Sequence, residues 1–136
     1  MESVSIPKEV CMKISFQEDP KVMEIFKGLP PIFRIEKSDD TVIVYCPIGY
    51  EISRHFYKMK VREFYRVYKA LKVEGGRKIW KYNTIILEPK KTKSLRIQIS
   101  PGEFYLYKVA AERAGETLSD YIRTAAFTRM ARDLGL

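Results

Sequence analysis

The chain has 136 residues and a formal net charge of +8 at pH 7. A balance this basic favours a polyanionic partner such as nucleic acid, with affinity that falls steeply as salt rises. No apolar run approaches the roughly 20 residues of a membrane-spanning helix, and the first residues lack the basic and apolar regions of a signal peptide. We therefore expect a cytoplasmic protein without a membrane partner.

Residues 1–88 predict a separate α+β domain of unknown role. The apolar patterns predict a strand over 10–16, a short helix over 20–27 and two alternating strands over 32–36 and 42–46. Ser38-Asp39-Asp40 is typical of the turn between the last two strands.

A long helix is predicted over 50–72, followed by Gly75-Gly76 and a strand-forming stretch over 78–87. The resulting order, β-α-β-β-α-β, matches the ferredoxin-like arrangement. The glycine-containing hairpin after a basic helix is also compatible with the wing of a winged-helix domain.

The middle of the chain carries nearly all of the net charge. Residues 51–100 hold fourteen Lys and Arg against four Asp and Glu, whereas residues 101–136 hold five of each. The predicted helix places five cations on the side opposite its apolar stripe: Arg54, Lys58, Arg62, Arg66 and Lys69. Two interpretations stay open, a solvated face of the kind common on thermostable proteins and a secondary contact to the DNA backbone.

Residues 89–93 form a basic linker that contains Lys90, Lys91 and Lys93. These three lysines lead directly into the next predicted strand. We expect them to contact DNA phosphates.

Residues 94–136 predict one strand and two capped helices. Leu95, Ile97 and Ile99 alternate with polar residues, which is typical of a strand with one apolar face. Ser100-Pro101 predicts the start of a helix, and Gly115 predicts its end. Thr117 begins a capping-box spacing that ends at Asp120 and opens the second helix. The predicted apolar faces comprise Leu106, Tyr107, Ala110, Ala111 and Ala114 in the first helix and Leu118, Ile122, Ala125, Ala126 and Met130 in the second.

This strand-helix-helix segment resembles the ribbon-helix-helix family of DNA-binding proteins, of the Arc, CopG and MetJ type. The resemblance covers about residues 94–134. It implies a homodimer in which the two strands pair as an antiparallel ribbon and enter the major groove of double-stranded DNA. The polar strand positions would read bases, namely Ser94, Arg96 and Gln98.

The resemblance also implies a phosphate contact at the start of the second helix. The backbone N–H groups of Leu118 and Ser119 would bind there, assisted by the hydroxyl groups of Thr117 and Ser119. Glu116 departs from the family's usual basic or neutral residue, and its charge would oppose this contact.

Catalytic, metal and cofactor sites find no support in the sequence. The chain has one histidine, His55, and two cysteines, Cys11 and Cys46, without the paired spacing of a metal site. Both cysteines lie in apolar runs, so we expect buried strand residues. Gly75-Gly76 lacks the residues of a phosphate-binding loop. We expect neither an enzyme nor a cofactor.

The sequence therefore predicts a homodimeric, sequence-specific transcriptional regulator that binds double-stranded DNA and is located on it. The N-terminal domain would add contacts to the DNA backbone, mediate higher-order assembly on DNA, or sense a signal. Two alternatives are an antitoxin-type interaction protein with one DNA-binding half and an architectural or packaging protein that uses charge without reading bases. One Asn and two Gln beside 42 charged residues make the composition thermophile-like.

Overall fold

The computed structural model describes residues 5–136, and over these residues the protein is α+β, as predicted. It divides into two units, one ending at Lys91 and one spanning Thr92–Leu136. This division lies inside the predicted linker, residues 89–93.

The N-terminal unit contains two helices, seven strands and a short 3₁₀ turn over its described residues. In chain order they are the 3₁₀ turn (Lys8–Val10), β1 (Met12–Gln17), α1 (Pro20–Glu24), β2 (Arg34–Ser38), β3 (Thr41–Cys46), β4 (Tyr50–Ser53), α2 (Val61–Ala70), β5 (Lys72–Glu74), β6 (Gly76–Lys81) and β7 (Thr84–Pro89).

The first sheet of this unit has four strands in the order β2-β3-β1-β5, and all neighbours are antiparallel. Along β1 the side chains of Met12, Ile14 and Phe16 are buried, because alternate residues of a strand point to the same face. The two-residue turn between β2 and β3 contains Asp39, whose φ is 55°, a conformation that Asp tolerates better than most residues.

The second sheet has three strands in the order β4-β7-β6, and it corrects the prediction of one long helix over residues 50–72. Residues 50–53 form β4, which pairs with β7 from Tyr50–Leu87 to Ser53–Thr84. The helix α2 covers only Val61–Ala70. Tyr50 and Ile52 alternate with polar residues, which is a strand pattern. Pairing with β7, more than thirty residues away in the sequence, determines that residues 50–53 form a strand.

A further correction concerns residues 78–87, which were predicted as a single strand-forming stretch. They belong to a hairpin in which β6 and β7 are joined by Tyr82 and Asn83, both at positive φ. The bend from β5 into β6 requires Gly75, at φ 76°. At Gly76, a Cβ would overlap both the carbonyl oxygen of Glu88 and the sulfur of Met12, so no larger residue fits there.

A single core joins the two sheets to the helices of the N-terminal unit. Phe64 of α2 is fully buried, together with Ile85 and Leu87 of β7. Burying a side chain of this size stabilises the fold by about 1.5–3 kcal/mol. Cys46 is buried on β3 as predicted. Cys11 precedes β1 and is partly exposed, so its predicted burial was wrong.

The C-terminal unit contains α3 (Pro101–Arg113) and α4 (Leu118–Leu134), which pack against each other. Both helices begin where predicted, because side-chain oxygens accept backbone N–H groups of the first turn. Ser100 Oγ accepts from Glu103 N at 3.1 Å, and Thr117 Oγ1 accepts from Asp120 N at 3.1 Å. Gly115 lies at φ 70°, as a glycine ending a helix should.

Candidate nucleic-acid interface

The segment before α3 carries the three predicted base-reading residues. Residues 91–100 are exposed and have no regular secondary structure. The single chain therefore lacks the strand predicted over 94–99, and its pairing with a second copy stays a prediction. The physical reason is that a strand requires a partner for its backbone N–H and C=O groups, and this segment belongs to neither sheet.

The apolar residues of this segment are open to solvent. Leu95 is 94% exposed and Ile97 is 71% exposed, while Ile99 is 38% exposed. They alternate with Ser94, Arg96 and Gln98, which are also exposed. An extended conformation would thus place three apolar side chains on one face and the three polar ones on the other.

The helices of the C-terminal unit have almost no core of their own. Across residues 92–136, all of which the structure describes, Ala111 alone is buried. Leu106, Ala114, Ala125 and Ala126, all predicted to lie on apolar faces, are exposed. The exposed large side chains of α3 and α4 are Phe104, Tyr105, Leu106, Phe127 and Leu134. Soluble monomers rarely leave this much apolar surface uncovered, so this surface is a candidate for contact with a partner.

The start of α4 carries the residues that were predicted to contact a phosphate. The hydroxyl of Thr117 already accepts the N–H of Asp120. The N–H groups of Leu118 and Ser119 lie in the first turn of the helix, where no carbonyl of the same helix can accept them. The carboxylate of Asp120 accepts from Arg123 Nη1 at 3.0 Å, which offsets its repulsion of an approaching phosphate. Glu116 is exposed and forms no ion pair within residues 5–136.

The five cations predicted to share one helix face are divided by the structure. Arg62, Arg66 and Lys69 are exposed on α2, on the side away from the buried Phe64 and Val67. Among the residues that the structure describes, none of these three forms an ion pair. Of the five predicted cations, these three therefore share one exposed face of α2, which we call the basic row.

Arg54 and Lys58 lie outside that helix, in the turns between β4 and α2. The guanidinium of Arg54 donates from Nε to Asn83 Oδ1 at 3.1 Å and from Nη1 to the carbonyl of Met59 at 2.8 Å. Its side chain is half-buried and held by these two hydrogen bonds, so the prediction of Arg54 on a basic helix face was wrong. Lys58 is exposed, at φ 53°.

Lys78 is a half-buried lysine of β6. Its Nζ donates to the carbonyls of Tyr68 and Leu71, at 2.7 and 2.8 Å, at the end of α2, where unpaired carbonyls attract a positive charge. Burial lowers the pKa of Lys78, and the charge of Lys69 lowers it further. Lys78 therefore caps a helix.

The predicted linker lysines are exposed. The backbone N–H of Lys90 donates to the carbonyl of Gly75 at 2.9 Å, which attaches this residue to the N-terminal unit. Lys90 and Lys91 line an open groove of about 410 Å³, together with Arg77 and Glu88. Arg77 pairs with Glu88 at 3.3 Å. Lys93 belongs to the C-terminal unit, directly before Ser94.

Two exposed aromatic residues were missed by sequence reasoning. Phe56 is 77% exposed in the turns after β4, and Tyr82 is 87% exposed in the turn between β6 and β7. Phe56 lies within residues 50–72, which the sequence predicts as one helix, so its position in a turn was not expected. The Tyr82-Asn83 pair between two alternating runs was the available signal for a hairpin turn.

Over residues 5–136, no three His, Cys, Asp or Glu side chains come together in a way that could hold a metal ion. The same residues include no helix with the length and hydropathy needed to cross a membrane. Comparison with known proteins identified no matching family model, curated protein or solved structure.

Proposed function

We propose that this protein is a homodimeric, sequence-specific regulator of transcription that binds double-stranded DNA through a ribbon-helix-helix domain. The observation that carries the proposal is the uncovered apolar surface of residues 94–136, joined to an unpaired segment with Arg96 and Gln98 on its polar positions. A second copy of the chain is the partner that would complete this unit.

Dimerisation follows from the chemistry of the exposed segment. Two copies of residues 94–99, related by a two-fold axis, would pair as antiparallel strands and satisfy each other's backbone groups. The same pairing would turn Leu95, Ile97 and Ile99 of both copies onto the helices. Burying each of these side chains contributes about 1.5–3 kcal/mol, which a unit without its own core requires.

Base reading follows from the opposite face of the ribbon. Ser94, Arg96 and Gln98 would each appear twice, once from each copy. A two-stranded ribbon fits the major groove, where arginine forms two hydrogen bonds with guanine and glutamine forms two with adenine. A two-fold ribbon would select a palindromic or repeated site.

Attraction to the DNA backbone would come from outside the ribbon, since residues 101–136 are electrically neutral. The start of α4 offers the N–H groups of Leu118 and Ser119 to a phosphate. Lys90, Lys91 and Lys93 are exposed and close in sequence to the reading residues. The exposed row of Arg62, Arg66 and Lys69 would add contacts that are independent of sequence.

We further infer that the N-terminal unit is a ferredoxin-like domain extended by a second sheet. In support, β1, α1, β2, β3, α2 and β5 follow one another in the order of that arrangement, and their strands form one antiparallel sheet. The strands β4, β6 and β7 would then be additions. A unit with its own two sheets and core differs from the disordered, partner-wrapping segment expected of an antitoxin.

Selection of bound sequences from a random pool of duplex DNA tests the proposed function. Wild-type protein should enrich a palindromic or repeated site, whereas Arg96→Ala/Gln98→Ala should bind weakly without enriching any. Arg113→Ala/Gln17→Ala changes the same two residue types at exposed positions elsewhere and should enrich the wild-type site. Tight binding by wild type without any enrichment would indicate an architectural protein and refute the proposal.

A further inference from the structure

One end of the second sheet exposes two aromatic rings among lysines. The turns of residues 54–60 and the hairpin turn at Tyr82 and Asn83 are held together there, because Arg54 N donates to the carbonyl of Asn83 at 2.9 Å and Arg54 Nε donates to its side chain at 3.1 Å. We call this end the hairpin-end surface, which comprises His55, Phe56, Lys58, Lys60, Lys81 and Tyr82.

The ring of Phe56 is supported on one side only. It packs edge-on against the ring of Tyr57, with 4.9 Å between the centroids. Tyr57 is itself anchored, since its hydroxyl donates to the carbonyl of Ile25 at 3.1 Å. The remainder of the Phe56 ring is open, and its 77% exposure is not required by the packing of the fold.

Tyr82 adopts an unfavourable backbone conformation while remaining exposed. Its φ is 51° and that of Asn83 is 61°, the arrangement of a two-residue turn that prefers Asn followed by Gly. Tyrosine disfavours positive φ, since its Cβ crowds the backbone there. At 87% exposure the side chain has no packing role in this chain that would explain the choice. Strain kept at an exposed ring indicates a binding role.

The charge around the two rings is of one sign. Residues 54–60 and 81–84 contain Arg54, Lys58, Lys60 and Lys81 and no Asp or Glu. The ammonium of Lys81 lies 5.8 Å from the centroid of the Tyr82 ring. Glu63, the acidic residue of the first turn of α2, pairs with Lys21 at 3.6 Å.

We propose that the hairpin-end surface binds single-stranded nucleic acid, with unpaired bases stacked on Phe56 and Tyr82 and phosphates bound by Lys58, Lys60 and Lys81. Each base has a π-face that stacks on an aromatic ring, and cations beside the rings follow the phosphate backbone. Duplex DNA keeps its bases stacked on one another, so open rings suit unpaired ones. This site goes beyond the proposed reading of duplex DNA and uses different residues.

Fluorescence anisotropy on the full-length protein tests the proposal. The probes are oligo(dT), oligo(rU) and an abasic phosphodiester, each of about 12 units, a length within the span of single-strand sites. The abasic probe keeps the charge and removes the stacking. At least one base-containing probe should bind roughly tenfold tighter than the abasic one, and the tighter of the two distinguishes a DNA from an RNA ligand.

Paired substitutions separate stacking from folding. Phe56→Leu and Tyr82→Leu should each lose about tenfold in affinity for the base-containing probe, whereas Phe56→Trp and Tyr82→Phe should retain it. Tyr82→Gly should raise Tm, because glycine suits the positive φ, and yet weaken binding. Lys58→Ala should weaken binding to all three probes alike, and Lys27→Ala serves as its exposed control.

Equal affinity for the abasic and base-containing probes would overturn the proposal, and so would leucine variants that bind like wild type. The Arg96→Ala/Gln98→Ala protein should keep its single-strand affinity. A failure at the hairpin-end surface is thereby distinguishable from a failure of duplex reading, which concerns only the ribbon residues.

Discussion

Arg54 and Asn83 are joined by a side-chain hydrogen bond from Nε to Oδ1 of 3.1 Å, alongside a backbone hydrogen bond of 2.9 Å between the same residues. They lie 29 positions apart in the chain. The contact fixes the end of β4 against the hairpin of β6 and β7. Arg54, which the sequence suggested as a DNA contact, therefore has a structural role.

Arg54→Ala should therefore lower the free energy of unfolding. The change leaves Asn83 Oδ1 and the carbonyl of Met59 without their donor, which costs about 1–3 kcal/mol. Urea unfolding of the full chain measures the effect. Arg62→Ala removes an exposed arginine from α2 and should change stability by less than about 0.5 kcal/mol. Equal effects of the two substitutions would contradict the assignment of Arg54.

Stability should fall as pH rises from about 9 towards 12. Burial raises the pKa of the Cys46 thiol from its ordinary 9.0 to about 12, and the neighbouring Cys11 adds to the rise. Burial also raises the pKa of Tyr50, with a further contribution from its hydrogen bond with Tyr57. A group with a raised folded pKa stabilises fully below its unfolded pKa, and that stabilisation is lost as pH approaches the folded value.

Urea unfolding at several alkaline pH values measures this loss, which should reach a few kcal/mol. Cys46→Ala should unfold more easily at pH 7 but show a shallower decline above pH 9. Lys78 acts in the opposite sense, because its lowered pKa makes stability rise as pH passes from its folded value to about 10.5. An unchanged slope in Cys46→Ala would show that the thiol does not titrate from a buried position.

Ile97→Asp should prevent dimerisation. The substitution places a charge on the apolar side of the proposed ribbon, at a residue that is 71% exposed in the single chain. Sedimentation equilibrium should give twice the chain mass for wild type and the single-chain mass for the variant. Ile35→Asp, on the edge strand β2, changes a residue that is 43% exposed and should remain dimeric. A wild-type monomer at micromolar concentration would contradict the proposed domain.

Arg62→Ala/Arg66→Ala should weaken binding to all DNA sequences alike. Each lost phosphate contact reduces the slope of log affinity against log salt by about one. Titrations at several salt concentrations with the selected site and a scrambled duplex measure the slope. Lys27→Ala/Lys37→Ala removes two exposed cations from elsewhere in the unit as the control. If both double variants keep the wild-type slope, the basic row is a solvated face.

The features that the sequence predicts well are the local ones. Ser100, Gly115 and Thr117 act within three or four residues of their own positions, so their spacing alone locates the helix ends. The segment 50–60 could not be assigned in this way. Its aromatic and basic residues satisfy a helical spacing, and only the partner strand β7 identifies residues 50–53 as β4.

In the candidate site, too, local features could be predicted from the sequence and features that depend on distant residues could not. The alternation of polar and apolar residues places Arg96 and Gln98 on one face of an extended segment, although the apolar residues beside them are exposed as well in the single chain. Arg54, by contrast, is half-buried because it forms a hydrogen bond with a residue distant in the sequence. Lys78 likewise looks like an exposed cation in sequence and is held by carbonyls at the end of α2. Pairing of the segment 94–99 depends on a second chain, so neither the sequence pattern nor a single copy determines it.

Methylation interference on the selected duplex tests the central claim most directly. Arginine recognises guanine through N7 and O6 in the major groove, so a methyl group on guanine N7 blocks that contact, while a methyl group on adenine N3 lies in the minor groove. If the ribbon carrying Arg96 reads bases, guanine N7 methylation within the site should abolish binding by wild type and change little for Arg96→Ala, which has already lost the contact. Interference confined to adenine N3, or identical guanine patterns for wild type and Arg96→Ala, would contradict the account.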